Sequence, residues 1–135
     1  MQKTLCSLLS FVYSFVISLA VKTLAYTLIL KEVLLIMEQQ GILRPDQGGI
    51  LATAMFAVQI FVGTIVLAEL VKQATNKADG AYVGFLLGLA FSLPEVTYFF
   101  FANIQWPLTV VAIVSNIVAF SLAGFVYTAS KLRQC

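Results

Sequence analysis

Apolar and polar positions alternate along this chain in long blocks rather than in short periods. Apolar runs cover residues 5–30, 50–70, 82–102 and 108–127, with polar or turn-forming stretches between them. Each run is close to the roughly 20 residues that carry a helix across about 30 Å of hydrocarbon. No water is present at that depth, so the backbone must satisfy its own hydrogen bonds, and helices are the form available to separate apolar runs. No strand-like alternation is seen. The pattern predicts an all-α fold: one domain over residues 1–135, with four transmembrane helices in an up-down bundle.

The connections are read from their turn chemistry. "KEVLLIMEQQ" (Lys31–Gln40) is half apolar and either continues the first helix or lies in the membrane interface. Gly41 and the Arg44-Pro45-Asp46 sequence then break it. "VKQATNKADG" joins the second and third runs, and "NIQWP" joins the third and fourth as a tight hairpin. Trp106 suits an interfacial anchor and Pro107 a first helical turn.

Composition removes the alternatives. Of 135 residues, 61% are hydrophobic and 10% charged, where a soluble domain averages about a quarter charged. The net charge of +2, with no basic cluster, argues against a nucleic-acid partner. The expected partner is the lipid bilayer. There is no histidine, and the two cysteines, Cys6 and Cys135, form no CxxC motif. No metal and no cofactor are expected, and with the usual acid/base constellations missing, no enzyme. The thiols read either as unpaired or as sites of lipidation or of a bridge between the termini.

Lys3, Lys72, Lys77, Lys131 and Arg133 fall on one side of the bundle, and Lys31 and Arg44 on the other. The positive-inside rule then puts both termini in the cytoplasm. A competing reading takes the start of the chain, through "SLA" at Ser18–Ala20, as a cleavable signal peptide. Against it, apolar character resumes after Lys22.

Helices in lipid associate where small residues let backbones approach. Gly80, Gly84, Gly88 and Ser92 recur every four residues and form one smooth groove on the third helix. Ser115, Ala119 and Ala123 offer a counter-surface on the fourth. The groove reads either as a dimerisation face or as close packing within the chain. Ser10, Ser14, Ser18 and Lys22, followed by Tyr26, form a second row on the first helix. Its serines either return hydrogen bonds to their own helix or face a neighbour.

Ionisable groups inside spans are costly and are candidates for function. At 1.5 Å per residue, Lys22 sits roughly 25 Å and Glu95 roughly 20 Å above the inner boundary, with Gln59 and Asn116 at about the same level. These four form a candidate intramembrane polar site, with Thr97 and Tyr98 as further members of its shell. Pro94 cannot donate to the carbonyl of Ala90, so a kink is expected there, with a freed acceptor beside Glu95. The site reads in two ways: it binds or transports a small solute or ion, or Lys22 and Glu95 pair structurally in a non-catalytic assembly subunit. A bundle this small encloses little volume, so a pathway through it is expected to need a homo-oligomer or a larger membrane partner.

"GAYVGFLLGLAFSLPEVTYFFF" through "VSNIVAFSLAGFVY" resembles a broad set of small four-span bacterial membrane proteins of unknown function, in which a glycine-rich third helix runs into a proline and a polar fourth helix follows. The resemblance covers about half of the chain and implies a four-helix protein of the bacterial inner membrane. Small multidrug exporters carry their membrane carboxylate in the first helix, where this chain has Lys22. The asparagine and phenylalanine motifs of fluoride channels and the paired cysteines of quinone-linked thiol oxidoreductases are not found.

Overall fold

The computed structural model describes residues 2–29, 31–41, 50–101 and 106–134. Helix α1 spans Gln2–Leu24 and runs into a π-helical segment, Ala25–Ile29. The short α2 (Lys31–Gln39) follows. Helix α3 (Ile50–Leu70) ends in a 3₁₀ turn at Val71–Gln73, and α4 (Lys77–Phe101) and α5 (Trp106–Gln134) complete the chain. Four of these helices are long and apolar enough to cross a membrane, over Cys6–Ile29, Phe56–Gln73, Lys77–Thr97 and Trp106–Leu132. No strand occurs among the described residues. The chain is an all-α, four-helix, multi-pass membrane protein.

The region after the first span resolves into a separate short helix. Its apolar Leu35 and Ile36 are exposed, and its main contacts are with the π segment. It ends where Gly41 takes a positive φ of 71°, a conformation that costs glycine little. The Gly41 amide then reaches the Glu38 carbonyl at 3.0 Å. Residues 44–46 and 103–105, assigned above to a break and a hairpin, lie outside the described residues, as does Cys135.

The start of α4 is written into "TNKAD". The Asn76 Oδ1 accepts the Asp79 amide at 2.9 Å, and Asp79 Oδ2 accepts the Asn76 amide at 3.3 Å. This reciprocal exchange satisfies donors that a helix start otherwise leaves open. The Thr75 hydroxyl adds a 2.8 Å bond to the same carboxylate.

Helices α4 and α5 form the most extensive pair, and α1 packs on the other side of α5. The glycine row makes the first contact possible. A Cβ on Gly84 would collide with the Phe120 carbonyl, and one on Gly88 would lie 2.6 Å from the Ile117 Cα. Gly80 meets Gly124 and Thr128. Ser92 closes the row by donating to Ile113 O at 3.4 Å as well as to Gly88 O at 2.7 Å. The groove is therefore filled within the chain, not left as a face for a second copy. Gly124, not singled out by spacing, packs against Gly80 and Gly84 in the same contact.

Ser115, Ala119 and Ala123 do not face these glycines. They lie a third of a turn away and meet α1, where Ser14 Oγ donates to Ala123 O at 3.0 Å and Ser18 Oγ to Ala119 O at 3.3 Å. The two rows on α5 serve two partners, because a central helix must present small residues to both. The serine row divides similarly: Ser10 returns its bond to Cys6 O, while Ser14 and Ser18 reach across.

The apolar core sits toward the end that carries Lys72, Lys77 and Lys131. Leu67, Val71, Leu87, Phe120, Ala123 and Tyr127 cluster there. The Phe120 ring stacks on Phe91 at 5.1 Å and fills the space beside Gly63. At this end Lys72 pairs with Glu69, and Lys131 donates to the Lys72 carbonyl at 3.0 Å.

Candidate functional site

The helix register sets the heights of the polar groups. Ser14 and Ser18 meet Ala123 and Ala119, so four residues along α1 match four residues back along α5. One turn further, Lys22 stands at the level of Ser115 and Asn116, and Tyr26 near Val111. On the other side of α5, Gly84, Gly88 and Ser92 meet Phe120, Asn116–Ile117 and Ile113. Continuing that register puts Glu95 at the level of Thr109 and Val110. The Glu95 backbone is thus roughly 9 Å closer to the Trp106 end than that of Lys22, at 1.5 Å per residue.

Lys22 is 0% exposed, although it carries a charge in a span. It does not snorkel. Its Nζ lies 5.3 Å from the centre of the Phe56 ring and 5.8 Å from that of Tyr26. These rings are themselves 4.5 Å apart. An ammonium against two ring faces gains about 0.5–2 kcal/mol per contact when desolvated. The rings supply no hydrogen-bond acceptor atom, however, and Nζ has no hydrogen-bond partner among the described residues.

Asn116 is also fully buried. Its Nδ2 donates to the Phe91 carbonyl at 3.3 Å, which ties α5 to α4, while its Oδ1 has no partner among the described residues. Neighbouring Ser115 turns back to Ala112 O at 2.9 Å. One level therefore holds a buried donor with three hydrogens and a buried acceptor, both unmatched. Native interiors seldom leave such groups unpaired.

Glu95 is half-buried. It lies more than 4.0 Å from Lys22, so no ion pair forms. The structural Lys22–Glu95 pair considered above is absent, because the two residues occupy different levels. Helix α4 continues through Pro94 without a break. Ala90 and Pro94 both lie on the exposed face, so the carbonyl that Pro94 leaves unserved is not directed at Lys22. Thr97 is exposed as well and bonds its own helix at Leu93 O, 3.0 Å, which removes it from the shell. The Tyr98 side chain lies outside the described residues. Gln59 is half-buried, next to the buried Ile60, and its side chain makes no hydrogen bond among the described residues.

Two features of the site have no signal in the sequence. Phe56 is one apolar residue among many, and nothing in its spacing marks it. The π segment follows Lys22 by three residues and contains Tyr26; such widened turns recur at functional positions. Beside the site, an apolar groove of about 410 Å³ runs between α1 and α5, lined by Val21, Ala25, Val111, Val114 and Ser115 among others. Lys22 does not line it. Among the described residues no group of His, Cys, Asp and Glu is arranged to hold a metal ion.

Fold and site together define a multi-pass membrane bundle with an apolar core at one end and a buried polar level toward the other. Comparison with protein-family models, curated proteins and solved structures finds no match. The chemistry of the site is therefore read from its own atoms.

Proposed function

We propose that this protein binds a small polar or charged solute at the level of Lys22 and passes it across the bacterial inner membrane, with both termini in the cytoplasm. The observation that carries the reading is the Lys22 ammonium, wholly buried with no hydrogen-bond or ion-pair partner among the described residues. An uncompensated buried charge costs several kcal/mol. A residue kept only for stability would be better replaced by methionine or leucine. Intramembrane ions are retained where they handle something.

In this reading the role is non-catalytic: Lys22, Glu95 and Asn116 offer a binding charge, a counter-charge and an amide. A homo-oligomer or a larger partner completes the pathway, since four helices enclose little space. The test is uptake of radiolabelled acetate, methylammonium and glycine into liposomes carrying the purified protein. Uptake of at least one probe is expected, falling to the level of protein-free liposomes with Lys22→Gln. Background uptake of every probe by the unaltered protein overturns the transport reading.

A further inference from the structure

We infer that a second copy of this chain docks on the outer side of α3, through a symmetric pair of Gln59 side chains. The inference stands whether or not Lys22 handles a solute. It begins from an unmet amide. Gln59 is the tenth of the 21 residues of α3, so it stands at the middle of that helix. It is half-buried, and its side chain makes no hydrogen bond among the described residues. Lys22 Nζ is not served by it either. By contrast, Thr64 and Thr97 return their hydroxyls to their own helices, and Ser14 and Ser18 cross to α5. Water offers no partner at this depth, so a free amide is costly, and polar side chains in spans face protein rather than lipid.

The amide itself selects the partner. It carries two donor hydrogens and an acceptor oxygen, so it is complementary to a copy of itself. Two copies inserted the same way across one membrane are related by a two-fold axis along its normal. Such an axis makes the interface isologous, and it sets both Gln59 residues at one depth. A different membrane protein would need a polar group placed at that depth independently. One polar position in an otherwise apolar seam also fixes register and copy number between helices.

The surroundings fit a helix seam. Val62 and Val66 follow Gln59 at spacings of three and four, which keeps them on its side of the helix, and both are exposed. Ile60, Thr64 and Leu67 turn to the core instead. The Phe61 ring points elsewhere, meeting Phe11 and Phe15 of α1. Helix α3 has surface to give. It packs mainly on α1, and it touches α4 and α5 far less than they touch each other. The glycine row of α4, the other surface built for close approach, is already filled by α5.

The test reads the mass of the full chain by sedimentation equilibrium in density-matched detergent micelles, and oxidative crosslinking in liposomes. For the crosslinking, Val62→Cys and Phe61→Cys are each made in a chain with Cys6→Ser and Cys135→Ser. A reversible dimer is expected. Gln59→Leu removes both bonds of the symmetric pair and should raise the dissociation constant about tenfold, with helix content by circular dichroism unchanged. Val62→Cys should form disulfide-linked dimers and Phe61→Cys should not, a readout that needs no change at Gln59. A monomer with no crosslink at Val62 overturns the inference. A dimer indifferent to Gln59→Leu, or one that crosslinks through Phe61→Cys instead, overturns the placement on the Gln59 face. A purified chain that is monomeric, but whose Val62→Cys variant crosslinks to another protein in native membranes, assigns the face to that partner and overturns the second copy.

Discussion

Substituting Gly84 by alanine tests how α4 and α5 are held. In a free helix the change is favourable by about 1 kcal/mol, since alanine is the better helix former. The structure reverses the sign. The new methyl group would collide with the Phe120 carbonyl oxygen and lie 3.0 Å from the Ser121 Cα. All of these are backbone atoms, so no side-chain rotation relieves the clash and the two helices must separate. Small-to-large changes in a tight contact cost about 1–3 kcal/mol. Separation would also stretch the Ser92–Ile113 and Asn116–Phe91 bonds, already 3.4 and 3.3 Å long. A clash with backbone atoms sits at the upper end of that range, so after the propensity gain we expect Gly84→Ala to lose about 2 kcal/mol net. Gly63→Ala is the control: its methyl group meets the edge of the Phe120 ring, a side chain rather than backbone, and the loss should be smaller. Reversible unfolding in mixed micelles reads both. A Gly84→Ala protein as stable as the parent, or one less affected than Gly63→Ala, would refute the account of α4–α5 packing.

Lys22→Met should stabilise the protein by about 1–4 kcal/mol in the same assay, because an apolar residue of similar length replaces an unpaired buried charge; a loss of stability would mean that the ring contacts outweigh desolvation. Ser14→Ala and Ser18→Ala should each cost about 0.6 kcal/mol, the typical worth of one interhelical hydrogen bond in a membrane, and additive losses in the double variant would show that the two bonds act independently. Asn76→Ala should remove about 1 kcal/mol of capping, seen as faster amide exchange over residues 77–80 with little change elsewhere. Exchange that is uniform along α4 would contradict the local cap.

Much of the architecture is legible without coordinates, because its causes are local. The length and apolarity of the runs require four helices once the solvent is hydrocarbon, and the glycine period marks α4 as a close-packing helix. The cap at Asn76–Asp79 and the stop at Gly41 are short-range chemistry of the same kind. The prominence of Lys22, Glu95 and Asn116 is also visible, since each is a polar residue in an apolar run.

What those residues do to one another depended on tertiary structure. Periodicity shows that a row of small residues exists, but not which neighbour it meets: spacing alone pairs the Ser115–Ala123 row with α4, and the structure sets it against α1. Depth counted along the apolar runs places Lys22 and Glu95 at nearly one height. The register through α5 separates them by about one and a half turns, roughly 9 Å. The direction of Pro94 and Thr97, the rings over Lys22 and the widened turn beside Tyr26 follow from how helices rotate about their axes. Rotation is set by contacts between distant segments, and a one-dimensional pattern carries a period but not a partner.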